Sequence, residues 1–223
     1  QNSLRSRNTM SYWYPNLKKI IDVKTKQICD ELKSNDLWDS IDYIIPTFGP
    51  AGEPIYPHPW TLGPQVTEVT FWGYDVNAQK DFRKHMKRKY KNVVKANKAW
   101  GTDFDSWDDV KVLPPKTHAG QYWDDMLVWY RDVKRGYVEW QINNTKKHID
   151  DSKKVLMYVP GTCYTEQDWD EAVRTGEGNV WIKLMADSKF LIDTAYKMDC
   201  WLQYTGVDNA QEVAILRKYM DDK

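Results

Sequence analysis

At 223 residues the chain is long enough for one large domain or two small ones. Lys plus Arg and Asp plus Glu balance at 32 each, which argues against nucleic acid or an anionic membrane as partner. No apolar run approaches the roughly 20 residues that a membrane-spanning helix needs.

Tyr12, Trp13 and Tyr14 form an aromatic cluster ahead of Pro15, which suits the first turn of a helix. Leu17, Ile21, Ile28 and Leu32 recur at helical spacing and predict a helix to about Lys33, ended by Ser34, Asn35 and Asp36. The short, apolar, β-branched run Ile41–Phe48 reads as a buried strand. A Pro/Gly/aromatic stretch follows from Gly49 to Asp75, far longer than the ~2–6 residues usual between a strand and a helix. Long loops in compact domains tend to carry function, so this loop, counted as residues 49–80, is the first place to look for a site.

Phe82, Met86, Tyr90, Val93 and Asn97 predict one amphipathic helix. Its other face carries the basic run Arg83, Lys84, Lys87, Arg88, Lys89 and Lys91, read as a solvated helix face. Residues 101–120 are a loop containing Pro114-Pro115. Met126, Tyr130, Val133, Tyr137 and Trp140 step by four and three, marking a long helix to about His148. Lys153–Val159 is a second strand, followed by Pro160-Gly161 and a polar, aromatic loop. Leu184, Leu191, Ala195 and Met198 predict a helix, Cys200–Tyr204 a third strand closed by Thr205-Gly206, and Val213, Leu216 and Met220 a final helix.

Strands alternating with helices imply parallel βαβ units, here in a single domain or fragment spanning 1–223. Each strand ends in a Gly/Pro turn with polar or aromatic residues at its carboxyl end, as in a TIM-type barrel, whose sites are built from those loops. A doubly wound sheet is the alternative and also places ligands at carboxyl ends. Neither a GxGxxG nor a GxxxxGK[ST] element is present, which counts against nucleotide binding.

Against 12 Trp and 14 Tyr the chain has 5 Phe. Such amphipathic rings serve either a large aromatic core or the stacking of flat ligand faces, sugars among them. Cys29, Cys163 and Cys200 form neither a metal cluster nor a disulfide framework; one pair plus a free thiol and full reduction both remain open. His58 and His118 lack metal-ligand spacing, so no metal site is expected. Asn143-Asn144-Thr145 matches the glycosylation sequon. With the start at Gln1, it points to a processed or excised chain that is extracellular or secreted.

Two stretches carry a family resemblance. YKNVVKANKAWGTDFDSWDDV (Tyr90–Val110) resembles a region of glycoside hydrolase family 42 β-galactosidases, with Asn97, Trp100, Gly101, Thr102, Phe104 and Trp107 as matching residues and Pro114 beyond. GPAGEPIYP (Gly49–Pro57) is similar to the acid-bearing loop of β-amylases. Both families use (β/α)8 barrels with a catalytic Glu after the fourth strand. The resemblance implies an α/β fold, a partial TIM-type barrel holding about strands four to six of eight. The flanking strands would lie outside the chain, together with the second carboxylate that retaining relatives take from strand seven. The galactosidases usually have Asn before the acid; Gly52 stands there in this chain.

Glycoside hydrolysis needs one carboxylic acid to protonate the leaving oxygen and a second carboxylate to attack or to activate water. The resemblance makes Glu53 the general acid/base of the intact ancestor, acting on a β-galactoside or related glycoside without metal or organic cofactor. The bland reading of Glu53 is a loop carboxylate capping a turn. Tyr56, Trp60, Trp72 and Tyr158 are expected to bind substrate, the rings by stacking, with core packing as the competing reading for each. Asp75 is expected to bind a sugar hydroxyl. Gln203 and Tyr204 alternate, so only one of them faces a barrel interior; Gln203 is taken as the substrate-binding one. Asp208 is the best-placed remaining carboxylate, and capping of the final helix explains it more simply. The alternative function is a non-catalytic barrel fragment that binds carbohydrate or protein. Its missing strands would expose apolar edges to a second copy or to a complementary chain completing the barrel.

Overall fold

The computed structural model describes residues 10–46, 48–49, 52–58 and 69–222. Three strands, β1 (Tyr43–Ile44), β2 (Lys154–Val159) and β3 (Trp201–Tyr204), form a sheet in the order β1-β2-β3. Both pairings are parallel, with Tyr43 opposite Lys154 and Tyr158 opposite Gln203. Eight helices are described: α1 (Leu17–Ser34), α2 (Val76–Tyr90), α3 (Val93–Trp100), α4 (Gln121–Lys146), α5 (Glu166–Thr175), α6 (Val180–Leu184), α7 (Ser188–Lys197) and α8 (Ala210–Asp221). A short 3-10 turn, Trp38–Ser40, leads into β1.

The three strands and the long helix α4 fall where the sequence pattern expects them, and the strands are parallel as their alternation with helices requires. The first strand is shorter than expected: only Tyr43 and Ile44 of the Ile41–Phe48 run enter the ladder. The single helix expected through Phe82–Asn97 is two. Lys91 takes φ +69°, and the Asn92 side chain caps α3 by accepting from the Lys95 amide. The polar loop expected after Gly161 contains α5, started by a reciprocal capping box between Thr165 and Asp168. The final helix is capped by Asn209, whose side chain accepts from the Glu212 amide, and not by Asp208.

Helices cover one face of the sheet. Val155, Met157 and Val159 point to that face and pack with Phe48, Val138, Ile142, Leu191, Ile192 and Leu216. Side chains alternate along a strand, so Lys154, Leu156 and Tyr158 of β2, Tyr43 of β1, and Trp201 and Gln203 of β3 share the opposite face. There Tyr43 and Trp201 are 42% and 47% exposed. Their ring centroids approach to 6.1 Å across β2, which accounts for the burial of Leu156 between them.

A second, aromatic core lies under α2, α3, α4 and α5, built from Phe71, Phe82, Trp100, Tyr122, Trp123, Trp129 and Tyr130 among others. The Asn97–Phe104 motif is a turn in its wall. Asn97 donates through Nδ2 to the Phe104 carbonyl (2.8 Å) and accepts from Thr102 Oγ1 (2.8 Å) and the Phe104 amide (3.1 Å). Gly101 closes α3 at φ +67°. Trp100 Nε1 reaches the buried Asp125 carboxylate at 2.8 Å, joined there by Lys89 Nζ (2.5 Å), Tyr90 Oη (2.6 Å) and Gln121 Nε2 (2.9 Å). Burial pushes the Asp125 carboxyl up, but these four donors more than offset it and hold the group below the ordinary carboxylate range. The residues that carry the galactosidase resemblance are thus structural: they tie α2, α3 and α4 together. The three cysteines are free thiols, Cys29 buried and the other two half-buried.

Candidate functional site

Glu53 lies in the loop after β1, half-buried. Gly52 before it has φ +80°, a conformation that glycine adopts freely and asparagine tolerates among L residues. A Cβ on Gly52 would touch the Tyr158 ring at 3.4 Å, so Tyr158 of β2 lies directly against the acid loop. Within the loop the Gly52 amide donates to the Gly49 carbonyl at 2.9 Å.

From the other side Thr205, the residue after β3, donates its hydroxyl to Glu53 Oε1 at 2.7 Å. The same hydroxyl lies 3.1 Å from the Val159 carbonyl, and the Thr205 amide donates to that carbonyl at 3.0 Å. The turns after β2 and β3 meet through glycines: a Cβ on Gly206 would fall 2.4 Å from the Gly161 Cα. Only hydrogen fits there, and this close approach holds Thr205 beside the acid loop. Thr205 stands two residues beyond Gln203 and so continues the same strand face.

His58 follows in the same loop, half-buried. Burial pulls its imidazole down, and the charge of Glu53 opposes that shift. Glu53, Tyr158 and Thr205 thus converge at the carboxyl ends of the strands, with Gln203 exposed beside Tyr158 on the open sheet face. A carboxyl group positioned within reach of a sugar's bridging oxygen can protonate it, and an adjacent ring and amide can contact the sugar.

Other expected site residues sit elsewhere. Tyr56 is fully buried: its ring stacks on Tyr130 at 3.9 Å and its hydroxyl donates to the Tyr130 carbonyl at 2.9 Å, so it is a core residue. Trp72 is half-buried, its Nε1 donating to the Pro57 carbonyl at 3.2 Å and its amide to Tyr130 Oη at 3.1 Å. Asp75 is the N-cap of α2, accepting from the Asn77 and Ala78 amides, and it also accepts from Ser11 Oγ at 2.7 Å. Trp60 lies outside the described residues. Tyr204 faces the helices, its hydroxyl on the Gly161 carbonyl, leaving Gln203 to the open face.

The period of two from Gln203 is the signal that marks Thr205. His58 is legible in the sequence only as a polar residue of the acid loop without metal-ligand spacing.

Parallel strands backed by helices on one face, with a glutamate at their carboxyl ends, define a part of a (β/α) barrel of the glycoside hydrolase type. The catalytic domain of beta-amylase from Paenibacillus polymyxa has this fold, with a TM-score of 0.65 at 21% identity, covering 89% of this chain and 49% of that one. A thermophilic beta-amylase of Thermoanaerobacterium thermosulfurigenes is 28% identical over 138 residues, 56% of this chain and 24% of the relative. The chain thus spans about a quarter of the curated relative and about half of the solved domain. The family 42 glycoside hydrolase model, described as beta-galactosidase, matches residues 64–179. That is more than half of the chain, and the chain belongs to this family. Glu53 and Thr205 lie outside the matched segment, which covers the aromatic core and β2.

Proposed function

We propose that the chain supplies the proton-donating part of a glycoside hydrolase barrel, with Glu53 as general acid/base in O-glycosyl hydrolysis of a β-galactoside-type substrate. The hydrogen bond from Thr205 to Glu53 at the carboxyl ends of the strands carries this reading. In the protonated state Glu53 gives its proton to the bridging oxygen as the bond to the anomeric carbon breaks, and the leaving sugar departs as an alcohol. The Thr205 hydroxyl then donates to the carboxylate that forms. Tyr158 and Gln203 line the approach, the ring packing on the apolar face of a pyranose. The second carboxylate belongs to a strand that this chain does not contribute, so the reaction needs the remainder of a barrel. No organic cofactor enters the scheme.

The test is turnover of nitrophenyl β-galactosides by the protein with the remainder of the barrel present, and by Glu53→Gln in the same assembly, with maltooligosaccharides as the second substrate because the fold is shared with beta-amylases. Loss of about 10³-fold or more in kcat on Glu53→Gln supports the acid role. An unchanged rate removes Glu53 from the mechanism, and turnover confined to maltooligosaccharides replaces the substrate.

The open sheet face favours a second reading, a carbohydrate- or protein-binding module that gains its missing wall from a second copy or a complementary chain. Tyr43 and Trp201 stand exposed on it. Sedimentation of the chain alone decides between them: a stable monomer that binds no sugar leaves this second reading without support.

A further inference from the structure

The proposed reaction leaves unused a buried lysine that touches both ends of the acid loop. Lys134 in α4 is 3% exposed. Its Nζ donates to the Ile55 carbonyl (2.7 Å), Tyr12 Oη (2.8 Å) and the Phe48 carbonyl (3.1 Å). Among the described residues no carboxylate lies within 4.0 Å of it. A lone buried cation is costly, and burial accordingly drives this amine well below the ordinary lysine range. Its nitrogen is surrounded by three oxygens within hydrogen-bond reach. The rings of Tyr12, Tyr56 and Tyr137 lie around it, with centroids 4.5, 5.5 and 5.7 Å from Nζ.

The two carbonyls bracket the catalytic segment. Phe48 precedes Gly49, and Ile55 lies two residues beyond Glu53. The neck between them is narrow, since a Cβ on Gly49 would come within 2.9 Å of both the Glu53 and Ile55 carbonyl oxygens. Carbonyl dipoles converging in a buried neck repel one another and need donors. Lys134 supplies them, assisted by Tyr12 Oη, 2.9 Å from the Phe48 oxygen.

We infer that Lys134 is a positioning residue for Glu53: its amino group clamps the neck of the acid loop and so holds the carboxylate in register with Thr205. The catalytic consequence rests on the acid role proposed above, whereas the clamp is measurable without turnover.

Two readouts on Lys134→Met test it. Hydrogen exchange of the Gly52 amide, which is bonded inside the loop, should accelerate about 10-fold more than exchange at Met157 and Val159 of β2. Uniform acceleration, or none at the loop, overturns the clamp. Kinetically, an acid moved out of place matters most where the leaving group needs its proton. The variant should lose about 10²-fold in kcat on unactivated glycosides, much less on dinitrophenyl glycosides, and keep its KM. Equal losses on both overturn the positioning role. Kinetics are read with the remainder of the barrel present and Glu53→Gln measured alongside. If that variant lacks the leaving-group signature, or the completed barrel does not turn over, the acid reading falls while hydrogen exchange still decides the clamp. Should Lys134→Met fail to fold, Lys134→Gln, which keeps two donors, replaces it, and the same outcomes decide.

Discussion

The aromatic helical core and the open sheet face use the same residue types to opposite ends. Trp129 in the core is fully buried, stacks on Trp13 at 5.1 Å and donates through Nε1 to Asp81 at 2.9 Å. Trp201 on the sheet is about half exposed and meets only Tyr43 among the described rings. In the core the rings are packed on one another, and several of their polar atoms find partners, as Trp100 and Tyr90 do on Asp125. On the sheet one face is enclosed and the other is not. The lesson is that a repeating fold, cut partway, keeps its local cores and loses its shared interior.

The sharpest way to break this comparison is to truncate one tryptophan in each region. Trp129→Ala should cost about 3–5 kcal/mol of stability in urea unfolding, as large-to-small changes in an enclosed core do. Trp201→Ala should stay within about 0.5–1 kcal/mol, because most of its surface already meets water. Similar costs for the two would mean that the sheet face is enclosed in solution.

A smaller effect probes what ties the helical core together. Asp125→Asn removes the charge that four donors address and should cost about 2 kcal/mol near neutral pH. The sign with pH follows from the depressed carboxyl. The group contributes stability that is present above its unfolded value of ~3.9 and is lost as pH falls through the lower folded value. The wild type should therefore lose stability in that acid range more steeply than Asp125→Asn. Parallel acid limbs in unfolding series from pH 2 to 7 would remove Asp125 from the account.

A stability effect as small as that of Trp201→Ala belongs to the site. Thr205→Val should change unfolding free energy by no more than about 0.5–1 kcal/mol, since the residue is exposed. It should still lower kcat about 10-fold on glycosides with poor leaving groups, through the lost hydroxyl on Glu53. A stability loss as large as that of Asp125→Asn would instead make Thr205 part of the fold.

Legibility in the sequence followed the range of the interactions. Gln121–Lys146 was readable as a helix from its spacing because an amphipathic stripe is a local signal. The α2–α3 break is hidden in the pattern because the Asn92 cap sits inside a stretch whose apolar spacing continues through it. The acid loop was readable from its own residues, but the partners of its carboxylate were not. Thr205 is 152 positions away from Glu53 in the chain.

The sequence by itself determined the alternation of strands and helices, the parallel sheet and the loop that carries Glu53. These depend on periodicity, on Gly/Pro punctuation and on motifs that act over a few residues. The partial barrel, with a doubly wound sheet as its alternative in the pattern, came with the family resemblance. The tertiary structure alone decided that Tyr56 and Asp75 serve packing and capping, and that the Asn97–Phe104 motif is a turn anchored near Asp125. It also decided that Tyr158, Thr205 and Lys134 surround the acid loop. Those assignments depend on which side chains distant segments bring together, and a one-dimensional pattern does not record that.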